Sequence, residues 1–186
     1  MKKFALLVLT IFFLLKASYA LALSLENVSL STEANYLVCS WELKDIPIEK
    51  LDETLHHGIP VRLQFEIIIE KIRRFWWDET LLHHLVLREI YYDAVKNVYN
   101  VQFVGISSAP RAFSSLEEAL NVAACAQNLP LLPANLIEPG AFYRLKIKAT
   151  IIQRISPNLP SRVLRIIFKG GKIESDWKII RFRFSN

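Results

Sequence analysis

Two pairs of adjacent histidines, two cysteines, a tryptophan pair and a run of cations near the carboxyl end are the side chains of this 186-residue chain equipped to hold or act on another molecule. The histidines come first, because His56-His57 and His83-His84 invite a metal. Zinc asks for about four ligands converging near 2 Å. Neighbours on a strand point to opposite faces, so His83 and His84 can offer only one ligand to any site. On a helix His56 and His57 stand roughly 100° apart and lack the i, i+4 spacing that aims two rings at one ion. Solvated or helix-capping roles are expected instead, with no metal and no cofactor.

Cys39 and Cys125 could pair in an oxidising compartment, closing a loop of about 85 residues that contributes about 4 kcal/mol in the chain-entropy account. Against a bond, Cys39 shares an inward strand face with Leu37 and Trp41, and Cys125 falls roughly opposite Leu116 on an expected helix. Pairing stays open at this level. Neither cysteine has a basic neighbour in sequence to make it a nucleophile. The chain has no G-x-S-x-G, no H-E-x-x-H and no phosphate-binding glycine loop, and its carboxylates fall at solvent-facing or helix-capping positions. A non-catalytic protein is expected.

The cations are distributed unevenly. Residues 140–186 hold eleven Lys and Arg against Glu174 and Asp176, net +9, whereas residues 23–139 hold nine basic and sixteen acidic residues, net −7. Along the strand from Phe142, Arg144, Lys146 and Lys148 fall on one face and Tyr143, Leu145, Ile147, Ala149 and Ile151 on the other. In the last strand Ile180, Phe182 and Phe184 turn inward, leaving Arg181 and Arg183 outward. Five cations on one open sheet face attract phosphates, acidic glycans, anionic lipid headgroups or an acidic protein. The competing expectation is internal: Glu66 and Glu70 on a neighbouring strand neutralise them as cross-strand pairs. Trp76 and Trp77, following Arg73-Arg74 at a bend, read as an aromatic platform for a sugar or a membrane interface. The alternative places one ring in the core and the other over a loop.

The elements that must position these residues are mostly strands. An apolar content of 52%, with eight Pro, five Gly and two Cys, excludes a disordered chain, a collagen-like chain and a disulfide scaffold. Period-two alternation runs through Leu37–Leu43, Val61–Ile72, Leu81–Asp93, Val95–Val104, Phe142–Ile155, Arg162–Lys169 and Trp177–Phe184. One short helix is expected between Asp45 and Gly58. Another follows Ser114-Ser115-Leu116-Glu117, a capping box, and runs to about Gln127. Pro130, Pro133, Pro139 and Gly140 then suggest an irregular connection. The expected fold is mainly β, a β-sandwich or curved antiparallel sheet of about eight strands, with one or two short helices packed on it.

Met1-Lys2-Lys3, the apolar run Phe4–Leu15 and the small residues Ala17, Ser18, Ala20 and Ala22 have the layout of a secretory signal peptide. Cleavage is expected after Ala20 or Ala22, leaving residues 23–186 as one β-rich domain. The apolar run covers about 18 Å of a bilayer core about 30 Å thick; an uncleaved anchor is the alternative. Without the three basic residues before position 22 the mature chain is +2. Export argues against nucleic acid as a partner.

The order of motifs is also distinctive: RRFWWDE (Arg73 to Glu79), LREIYYDAVKNVYNVQF (Leu87 to Phe103), AFSSLEEAL (Ala112 to Leu120), Leu159-Pro160, and DWKI (Asp176 to Ile179). This series resembles the exported bacterial family catalogued as domain of unknown function 4390, over most of the mature chain. The resemblance implies export and a β-rich domain, and carries over no catalytic residue. The expected function is an exported binding or accessory protein of the cell envelope, facing an envelope protein or an anionic membrane surface in the periplasm or outside the cell. The alternatives are a carrier of an apolar ligand between sheet and helix, and an envelope-polymer hydrolase.

Overall fold

Val61, Leu63, Phe65, Ile67 and Ile69 are all fully buried, and the polar residues between them are not. That alternation makes β3 (Val61–Lys71) the middle of the larger of two antiparallel sheets. The computed structural model describes residues 23–106, 108–154 and 172–184. The expected signal segment 1–22, Leu159-Pro160 and the expected strand Arg162–Lys169 lie outside them. In chain order β1 (Ser24–Glu33) and β2 (Tyr36–Lys44) precede α1 (Ile48–His56) and β3. Then come β4 (Glu79–Asp93), β5 (Val98–Val104), β6 (Arg111–Phe113), α2 (Leu116–Ala123) and β7 (Cys125–Pro133). The described residues close with β8 (Phe142–Gln153), β9 (Lys172–Glu174) and β10 (Lys178–Arg183). The fold is therefore mainly β with two short helices, with ten strands rather than about eight among the described residues.

The smaller sheet has the order β1-β2-β7, and the larger β10-β8-β3-β4-β5-β6, with β9 also on β8. β10 pairs with the first half of β8 and β9 with the second half, so the two short strands share one edge. Between the sheets lies one apolar core. Leu37, Cys39, Trp41 and Leu43 face it from β2, and the Trp41 ring meets Phe65 of β3 at 5.1 Å between centroids. The interior is close-packed there, so large-to-small changes at these positions leave cavities that cost stability.

Both helices begin and end as local chemistry requires. α1 ends at His56-His57, whose ring Nδ1 atoms donate to the carbonyls of Asp52 and Glu53 at 2.9 and 2.6 Å. Gly58 follows at φ +75°, a left-handed conformation that favours glycine after a helix end. At the start of α2 the capping pair is shifted by one residue from the expected one. Ser115 accepts from the Glu118 amide at 3.2 Å, and the Glu118 carboxylate accepts from the Ser114 amide and hydroxyl. Glu118, not Glu117, is thus the box carboxylate.

The expected continuation of α2 to Gln127 is incorrect. The helix stops at Ala123, and Cys125–Pro133 is a strand, not an irregular connection. Among the described residues β7 pairs with β2 alone, so Pro130 and Pro133 lie on an edge strand there, where a missing donor is tolerated. This also decides the cysteines. Trp41 opposes Ala126 and Glu42 opposes Cys125, so Cys39 and Cys125 project from opposite faces of the same sheet. No disulfide joins them. Burial pushes the Cys39 thiol up to about 12, which keeps it protonated.

Arg88 is the buried cation that the alternation of β4 conceals. It occupies the inward register between Val86 and Ile90 and is 5% exposed. Its Nη1 donates to the carbonyls of Val122 and Ala123, both at 2.9 Å, and to that of Cys125. The first two are carbonyls that the end of α2 leaves unpaired, and the third belongs to the first residue of β7. The guanidinium carbon lies 5.3 to 6.0 Å from the ring centroids of Phe103, Phe65 and Trp41. Desolvation lowers its ionisation to about 10, so the cation persists at neutral pH. One charged side chain thereby ties α2 to both sheets.

Candidate functional site

β8 and β10 deliver the expected cations to one face. Arg181 opposes Arg144, Ile179 opposes Lys146 and Arg183 opposes Phe142, so Arg144, Lys146, Lys148, Arg181 and Arg183 all project from the outer face of the larger sheet. Their inward counterparts Tyr143, Leu145, Ile147, Ala149 and Ile151 are buried to 1% exposure or less, which fixes the orientation of β8. A one-residue slip would bury the cations.

Neutralisation divides the five. Arg144 lies 3.2 Å from both Glu70 and Asp78, Lys146 lies 2.6 Å from Glu70, and Lys148 lies 3.1 Å from Glu174. Hydrogen bonds from Lys172 first, and then Lys148, hold the Glu174 carboxyl below its ordinary range. Glu66, also expected to quench this face, bonds His83 at 2.8 Å instead. Arg181 and Arg183 have no carboxylate partner among the described residues. The residues outside that set contain no Asp or Glu side chain. Three of the five cations form an internal ion-pair ladder, and two are open among the described residues.

Arg183 is held in place by its surroundings. Its Nε donates to the Gly140 carbonyl at 3.0 Å, and its guanidinium lies 5.3 Å from the Phe142 ring centroid. Gly140 adopts φ +81°, and its amide donates to the Phe184 carbonyl at 2.9 Å, so the turn grips the end of β10 from both sides. Arg74, Arg144, Arg181 and Arg183 converge, with Ile72, Phe142 and Phe182, on an open groove of about 810 Å³.

The bend between β3 and β4 stands beside this groove. Phe75, Trp76 and Trp77 are 87%, 75% and 88% exposed, so neither tryptophan enters the core. The bend has a fixed base: Arg73 pairs with Glu79, its amide donates to Asp78 at 3.2 Å, and Asp78 also meets Arg144. Asp78 and Glu79 are thus consumed at the base, and Arg74 stays at the rim, 5.5 Å from the Phe75 centroid. Phe75, Phe142 and Arg74 were not singled out from the sequence. A third consecutive aromatic in RRFWWDE, and Phe142 in register with Arg183, were the available signals.

The other candidate chemistry does not assemble here. His83 is tied to Glu66, and the α1 histidines are bound to backbone. Among the described residues no three His, Cys, Asp or Glu are grouped to hold a metal ion. A cleft of about 340 Å³ between β2 and α2 is lined by Glu42, Lys44, Asp45 and Glu117 beside apolar residues, and is open to solvent.

No curated protein and no solved structure matches the chain. The family described as Domain of unknown function (DUF4390) matches residues 20–181, which include the bend, the groove and most of β10. That span takes in nearly the whole sequence, and the chain belongs to the DUF4390 family.

Proposed function

We propose that this is an exported, non-catalytic binding protein of the bacterial cell envelope that engages an anionic partner with its basic end. The observation that carries this is the uneven neutralisation of the β8–β10 face: Arg144, Lys146 and Lys148 are matched to carboxylates, while Arg181 and Arg183 have none among the described residues. Unmatched cations gain charge-assisted hydrogen bonds on binding, and Arg183, already held by the Gly140 carbonyl and the Phe142 ring, has little side-chain order left to lose. Export rests on the basic–apolar–small layout of residues 1–22, and places the partner in the periplasm or beyond. The test is the affinity for a soluble polyanion, such as polyphosphate, across a salt series. Binding is expected at low ionic strength, with a steep decline as the Debye length falls from about 30 Å at 0.01 M to about 8 Å at 0.15 M. Absence of binding at low salt overturns the proposal.

A further inference from the structure

Building on that anionic reading, we propose that the partner is an anionic phospholipid bilayer, with Phe75, Trp76 and Trp77 lodged at its interface and Arg74, Arg181 and Arg183 on the headgroup phosphates.

Three adjacent aromatic rings at 75–88% exposure are costly in water, and with Arg74 they line only a shallow, widely open hollow at the bend. A layered solvent suits this arrangement. Aromatic rings favour the interfacial zone of a bilayer, and arginine favours the phosphates just above it. Penetration stops at that depth, because the backbone of an irregular bend needs water or polar headgroups for its amides and carbonyls. The charges nearest the tip agree. Asp78 and Glu79, which would repel phosphate, are held by Arg144 and Arg73 at the base of the bend. Arg74 lies over the Phe75 ring, and among the described residues Arg74, Arg181 and Arg183 have no carboxylate partner where they open onto the adjacent groove. The net charge presented toward the membrane is therefore positive, opposite to that of the lipid.

The full chain is mixed with vesicles of zwitterionic phosphatidylcholine, alone or with about one-third phosphatidylglycerol, a charge density sufficient to attract basic segments. Both contain acyl chains brominated close to the headgroup, and tryptophan emission is recorded. The apolar run Phe4–Leu15 contains no tryptophan, and the partly exposed Trp177 is removed by measuring in a Trp177→Phe background, so quenching reports the bend even if that run also reaches lipid. Quenching is expected on the anionic vesicles and not on the zwitterionic ones. In that background it should be lost in Trp76→Phe/Trp77→Phe, which keeps the aromatic character but removes the probes, because the remaining Trp41 is buried and emits out of reach of the bromines. Arg181→Gln/Arg183→Gln should raise the lipid concentration needed for half-quenching about 30-fold, from a loss of about 1 kcal/mol per arginine at an anionic surface. Unquenched emission on anionic vesicles, or equal quenching on both kinds, overturns bilayer insertion. If polyphosphate binding persists in that case, the anionic site stands and only its occupant is wrong; if it is absent too, both readings fall.

Discussion

Arg181→Gln/Arg183→Gln is expected to weaken polyphosphate binding on the order of 100-fold, while Lys148→Gln changes it less than about threefold. The contrast follows from where each charge is already spent. Each open arginine supplies a charge-assisted hydrogen bond of about 1.5 kcal/mol to the incoming anion, and two of them reach the stated factor. Lys148 is committed to Glu174, and Glu174 keeps Lys172 at 3.1 Å when Lys148 is removed, so no fresh carboxylate is exposed. Both variants alter outward side chains in strands whose inward faces are untouched, so folding should be preserved. Isothermal titration calorimetry on the three proteins at one low salt concentration separates the outcomes. Equal losses in both variants would mean that net charge matters and position does not.

Arg88→Ala should cost about 4 kcal/mol of folding stability, and Arg88→Met about 2 kcal/mol. The alanine variant removes the donor from the carbonyls of Val122, Ala123 and Cys125 and leaves a cavity between Trp41, Phe65 and Phe103. Methionine fills most of that space and leaves only the carbonyls without a partner. The difference between the two variants therefore measures packing, and the methionine cost measures the helix-end hydrogen bonds. Against a total of about 5–15 kcal/mol for a domain of this kind, the alanine change alone lowers the midpoint of urea unfolding well below that of the wild type. Matching stabilities for Arg88→Met and wild type would show that α2 does not need its terminal carbonyls satisfied from β4.

The fates of Arg88 and of β7 show where the sequence was legible. Alternation located β2, β3, β8 and β10 and the side of each that faces the core, because a strand buried on one face must segregate its side chains by parity. Arg88 was not singled out: its inward place between Val86 and Ile90 comes from the register of β4 on β3, and a charge there is explicable only once α2 is known to end against it. β7 was hidden because Pro130 and Pro133 signal a loop, and only the sheet order shows that they lie on an edge. The helix pattern of Leu116, Ala119, Leu120 and Ala123 also carries into Ala124 and Ala126, so nothing local marked its end.

The site was legible in its parts and not in its balance. Sequence parity gathered five cations on one face, and proposed Glu66 and Glu70 as their neutralising partners. Register assigned Glu70 to two of the cations, while Glu66 turned to His83 and Asp78 arrived from the bend. Those long-range pairings depend on how β3, β4 and β8 align, which no single segment encodes. The same alignment brings the exposed Phe75, Trp76 and Trp77 beside Arg181 and Arg183, joining two features that lie about a hundred residues apart in the chain.

The location of the anionic site is tested most directly by labelling arginines with a dicarbonyl reagent and reading each position by mass spectrometry, with and without saturating polyphosphate. Arg74, Arg181 and Arg183 should label in the free protein and be shielded in the complex, while Arg62 and Arg154, both held by Glu89, should be unaffected. Unchanged labelling of Arg181 and Arg183 in the saturated complex would contradict the account.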